Sequence, residues 1–271
     1  MPDSIFFWAM GAGVLSFASI AIGASLVYLK KTYSRKTLDV LFGMAGGMML
    51  CAAFLGLLHP AYQMSEPLGR LAFVPVVAGL AVGVALLMLL DCVLPHFHAF
   101  QNEAEGISTQ WKKSLMVVFA MALHHVPEGL AIGVSYAAAE AVSAVAETSA
   151  GGMSAALLLS ASIMLQNLPE GLIVSTVLLA EGMSKARAAL MGVLSGLTSP
   201  LGVLLGLLGA QAAHSILPYT LAFAAGAMVY IVVEEVIPEA NASGNGNLAS
   251  VACVAGIAFV IALSSLLGAE F

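Results

Sequence analysis

Charged residues are scarce in this chain: Asp, Glu, Lys and Arg make up 9% of 271 residues, against a hydrophobic share of 61%. An ordinary soluble domain carries about 25% charged residues, so a water-soluble fold is excluded. The net charge of −6 says little about partners, since much of it sits within or beside apolar runs, and nothing in the sequence points to nucleic acid. Cysteine is equally sparse: Cys51, Cys92 and Cys253 sit singly in apolar stretches. Without a Cys-x-x-Cys pair, neither a disulfide framework nor a thiolate zinc site is indicated. No Gly-x-x-x-x-Gly-Lys-Ser/Thr run is present to cradle ATP, and no His-Glu-x-x-His to build a zinc hydrolase. The Gly133-Val134-Ser135-Tyr136 stretch has no base partner on its own helix, so a serine nucleophile lacks activation. These absences argue against an enzyme and against any catalytic cofactor. Low-complexity tracts and domain-sized insertions are missing too, the longest loop being 96–113, and residues 1–271 read as one domain.

What is present is apolar length. A helix needs about 20 apolar residues to cross a hydrocarbon core of roughly 30 Å. Runs of that kind occur at 5–29, 39–60, 71–95, 114–138, 153–180, 187–210, 215–238 and 248–268, consistent with the mean hydropathy of +1.00. The expectation is an all-α integral membrane protein with eight transmembrane helices and the lipid bilayer as its surroundings. The first run begins near Asp3 without a basic leader and is too long for a signal core, so it reads as a retained helix. Lys30, Lys31, Arg35, Lys36, Lys112, Lys113, Lys185 and Arg187 fall in loops on one side, and Arg70 alone on the other. Because short cytoplasmic loops retain Lys and Arg, this places both termini outside the cytoplasm, in a bacterial plasma (inner) membrane.

Two near-twin segments interrupt the apolar pattern: His124-His125-Val126-Pro127-Glu128-Gly129-Leu130 in the fourth run and Gln166-Asn167-Leu168-Pro169-Glu170-Gly171-Leu172 in the fifth. In each, a nitrogen- or oxygen-bearing side chain precedes a carboxylate by four residues, so both share one helical face. The prolines release the Leu123 and Leu165 carbonyls one turn earlier. Consecutive helices joined by a short loop run antiparallel, so the twins are inverted copies that meet at the bilayer midplane, the arrangement of a transport site. Interhelical hydrogen bonding would account for a lone His or Gln. It does not account for two carboxylates, each costing about 2.5–3.5 kcal/mol at midplane. Imidazole with carboxylate suits zinc and its first-row neighbours. Without a cation, two adjacent carboxylates in a low dielectric cannot both stay ionised.

These residues resemble the ZIP (Zrt/Irt-like) transporters of divalent metals, in particular the bacterial GufA-like branch. The likeness extends along the chain to Ala224-Ala225-Gly226-Ala227-Met228 and to Glu234-Glu235-Val236-Ile237-Pro238-Glu239. The resemblance implies a 3+2+3 arrangement of helices, a homodimer, and an elevator-like movement of a transport domain. It further implies a primary metal site of His124, Glu128, Gln166 and Glu170, joined by Met49. Some relatives hold a second metal beside the first, where this chain has His125, Asn167 and Ser199. Two anions of that second subsite are replaced by neutral groups, so one transported metal is expected.

A further group lies at the cytoplasmic ends: Asp39, Asp91, His96, His98, Glu234, Glu235 and Glu239. It reads as a weak exit relay, against the simpler alternative of solvated helix ends stopped by Pro95 and Pro238. His59, His214, Glu140 and Glu147 lie toward the outer face, where they would attract cations or merely face water. The expected function is uptake of a divalent transition metal by alternating access, most plausibly Zn2+, with Fe2+, Mn2+, Cd2+ and Co2+ also compatible. The alternatives are a membrane metal sensor or structural metal protein and, further off, a membrane metalloenzyme.

Overall fold

The computed structural model describes residues 3–30, 33–94, 96–98, 103–105, 112–145, 150–212 and 216–268. Its helices are α1 (Asp3–Ser25), α2 (Arg35–Ala53), α3 (His59–Ser65), α4 (Phe73–Val93), α5 (Lys113–Val145), α6 (Ala150–Ala180), α7 (Lys185–Ser195), α8 (Thr198–Ala212), α9 (Leu217–Ile231), α10 (Ile237–Asn241) and α11 (Gly246–Leu267). Among the described residues they form eight spans long and apolar enough to cross a membrane, with α2 and α3, α7 and α8, and α9 and α10 each joined into one span. The chain is thus an all-α integral membrane protein. The long loop adds one short hairpin, β1 (His96–His98) antiparallel to β2 (Glu103–Glu105).

The second span runs through Arg35–Leu71, past the expected end at 60. Pro60 enters at the first turn of α3, directly after a π turn at Phe54–Leu58. The seventh span repeats this: a π turn at Val232–Val236 precedes Pro238 in the first turn of α10. Pro127 and Pro169, by contrast, sit inside unbroken α-helices.

The spans group into two four-span bundles. In the first, α5 packs along α8 and α1 along α6; in the second, α4 packs along α9 and α2 along α11. Exchanging spans one and six, two and seven, three and eight, and four and five maps these pairings onto one another. The bundles meet where α2 crosses α6 and α5 crosses α9.

Glycine draws each pairing close. A Cβ on Gly129 would strike the Ser199 carbonyl of α8, and one on Gly171 the Ile20 carbonyl of α1. Gly79 and Gly83 meet the α9 backbone in the same way, as Gly43 and Gly47 meet that of α11. Such contact supplies the van der Waals attraction that holds helices together in lipid, where hydrophobic burial contributes little.

Candidate metal centre

Both twin motifs lie at the junction of α5 and α6 inside the first bundle, facing the second. The motif glycines seat the helices against α8 and α1, and the preceding glutamates project inward. His124, Glu128 and Glu170 each offer a ligand atom, and these atoms lie within 4.8 Å of one another. All three are buried, as is Gln166. The Gln166 amide Nε2 donates to Glu128 Oε1 at 2.8 Å, which leaves Gln166 Oε1 without a hydrogen-bond partner. Neither oxygen of Glu170 accepts a hydrogen bond, and His124 Nε2 has no partner either. A buried carboxylate without donors is costly unless a cation or proton neutralises it. The donor set, two carboxylates, one imidazole nitrogen and one amide oxygen with unused lone pairs, matches a divalent transition metal.

His125, Asn167 and Ser199 are fully buried beside this set. His125 Nδ1 lies 3.2 Å from Glu128 Oε2 and 3.8 Å from Glu170 Oε2. With its amide oriented to satisfy both ends, Asn167 donates to Glu128 Oε2 at 2.9 Å and to the Ile163 carbonyl at 3.1 Å, and accepts from Ser16 Oγ at 2.7 Å. Ser16 Oγ in turn lies 3.0 Å from Ser199 Oγ. A polar chain therefore runs from α8 through α1 and α6 to Glu128. Ser16, on α1, escaped the sequence reading: a serine among apolar residues carries no signal until the fold brings α1 against α6 and α8. Met49 is completely buried in the main apolar core on α2.

The group expected at the cytoplasmic ends divides. Glu235, carried by the second π turn, reaches the central site, with Oε2 3.2 Å from His124 Nδ1. Asp91 and Tyr230 line a cavity of about 120 Å³ between α4, α5 and α9 that also reaches His124 and Glu235. Glu234 shares the π turn. The Asp39 carboxylate pairs with Arg35 Nε at 2.8 Å and accepts from Asn245 Nδ2 at 2.8 Å and from Ser243. These contacts fasten α2 to the turn before α11. Arg35 also donates to the Glu239 backbone carbonyl at 2.7 Å, and the Glu239 side chain is buried. The backbones of His96 and His98 lie in β1, opposite Glu105 and Glu103. His59 opens α3 and Glu140 lies near the end of α5. His214, Glu147 and Pro95 lie outside the described residues.

The family model described as ZIP Zinc transporter matches residues 95–264. The chain is 34% identical to the zinc transporter GufA of Myxococcus xanthus, over 96% of this chain and 100% of the relative. It is 34% identical to the zinc transporter ZIPB of Bordetella bronchiseptica, over 96% and 82%, and 31% identical to the human zinc transporter ZIP11, over 97% and 98%. Family match and near full-length likeness coincide with the inverted Pro-Glu-Gly pair at the buried centre. The chain belongs to the ZIP zinc transporter family.

Proposed function

We propose that this protein carries a divalent transition metal, zinc foremost, across the bacterial plasma membrane into the cytoplasm by alternating access around the α5–α6 site. The observation that carries this reading is the orphaned pair of Glu170 oxygens, within reach of Glu128 and His124, in the middle of a membrane-spanning bundle. His124, Glu128, Gln166 and Glu170 bind the ion, with Met49 as a further ligand from the second bundle. Fe2+, Mn2+, Cd2+ and Co2+ fit the same donors.

The exchange symmetry of the helix pairings supports the 3+2+3 arrangement. The division into two bundles supports movement of the first, which holds the twin motifs, against the second, within a homodimer. Asn167 and Ser199 engage in hydrogen bonds, and neither they nor His125 adds a carboxylate beside Glu128 and Glu170, which favours one metal rather than two. Asp91, Glu234, Glu235 and Glu239, with His96 and His98, form the exit on the cytoplasmic side.

Glu128→Gln and Glu170→Gln test the site. Each keeps the side-chain shape and removes one charge, and zinc flux into proteoliposomes is expected to fall at least tenfold, about 1.4 kcal/mol or more. Flux equal to the parent in both variants would sink the assignment.

A further inference from the structure

Glu235, besides its place among the exit residues, reaches into the central site. Its Oε2 lies 3.2 Å from Nδ1 of His124, and the two side chains are 19% and 3% exposed. A carboxylate accepts hydrogen bonds, so the neutral tautomer that suits this contact carries its proton on Nδ1 and keeps the Nε2 lone pair. Nε2 is the buried nitrogen without a partner. The arrangement matches one that recurs in metal proteins, in which a ligating histidine donates its other N–H to a carboxylate that fixes tautomer and ring orientation. The surroundings strengthen the contact: Leu86, Leu90, Leu123, Phe223 and Ile231 line the adjoining cavity, and a hydrogen bond gains strength in an apolar setting.

The partners come from different bundles. His124 belongs to α5, whereas Glu235 rides on the π turn between α9 and α10. A π turn adds a residue to the helical repeat and so resets the face on which the following side chains emerge.

We propose that Glu235 is a positioning residue, which holds His124 in the tautomer and orientation that present Nε2 to the metal, and does so from across the bundle interface. The consequence rests on the transport reading above: the site is tight while α5 lies against the π turn and loosens when the bundles separate, so metal affinity follows the position of the carrier.

Equilibrium zinc binding to the purified full-length protein tests this in a double-mutant cycle. Glu235→Ala is expected to weaken binding by about 10- to 100-fold, the usual cost of losing such a carboxylate. Glu235→Gln, whose amide oxygen still accepts the Nδ1 proton, is expected to restore most of it. In a His124→Ala background, Glu235→Ala is expected to change affinity by less than about twofold, because the two act as one unit. An equal loss in both backgrounds overturns the proposal, since Glu235 would then bind metal or shape the site on its own. Glu235→Gln no better than Glu235→Ala overturns it as well, by making the charge rather than the acceptor decisive. Zinc flux through proteoliposomes of the parent protein separates the two readings: its absence removes the transport reading and leaves the binding cycle intact.

Discussion

At the scale of single residues, the site depends on how hydrogen bonds are shared between two carboxylates. Glu128 accepts from Gln166 and Asn167 and lies beside His125, whereas Glu170 accepts none. Glu128 is therefore held by the protein, and Glu170 keeps both oxygens without a hydrogen bond. Asn167 decides this asymmetry, because its amide donates to Glu128 and ties it to Ser16 and Ser199. Replacing Asn167 by Asp sets a third carboxylate against Glu128 in a dry setting, where an uncompensated buried charge costs about 3–5 kcal/mol. Thermal melting in chelator is expected to fall well below that of the parent, and added zinc is expected to recover more of the loss than it gains in the parent. Equal melting of the two proteins in chelator would show that Asn167 does not anchor Glu128.

At the scale of elements, the twin motif reads as three functions in consecutive residues. The proline withdraws one backbone N–H, the glutamate places a buried carboxylate in the centre, and the glycine brings the helix onto its neighbour. The last part is directly testable. Gly129→Ala and Gly171→Ala drive a methyl group into the carbonyls of Ser199 and Ile20, and each is expected to cost about 1–3 kcal/mol through overpacking. Gly11→Ala and Gly209→Ala meet no atom within 4 Å and are expected to stay within about 0.5 kcal/mol of the parent. Melting temperatures of the four variants check the contrast, and uniform effects would remove close packing as the reason for the motif glycine. The π turns before Pro60 and Pro238 show a second setting for proline, following a widened turn that in one case carries Glu235.

At the scale of the whole molecule, eight spans place both termini on one face, and the excess of Lys and Arg assigns the opposite loops to the cytoplasm. Cys92, exposed at the end of α4, lies on the cytoplasmic side in that orientation. A membrane-impermeant maleimide is expected to label it in inside-out vesicles and not in intact cells, with Cys92→Ser as the control. Labelling from the outside of intact cells would invert the topology and with it the direction of uptake. The bundle division adds a mechanical point: the twin motifs belong to one bundle, while Glu235 belongs to the other, so the His124–Glu235 contact crosses the interface between them.

Sequence alone determined the membrane setting, the eight spans and the inverted pair of motifs. Those features are local: hydrophobic length, polar residues at helical spacing, and proline and glycine whose backbone effects are independent of distant partners. Even the lack of a carboxylate at His125, Asn167 and Ser199 was legible from residue type. Only the tertiary structure decided that Ser16 joins that trio, that Asp39 pairs with Arg35 and the turn before α11, and that Glu235 reaches His124. Each of these depends on contacts between residues far apart in the chain. Glu235 depends besides on a π turn that changes its face by one residue, which an ideal α-helical repeat does not foresee.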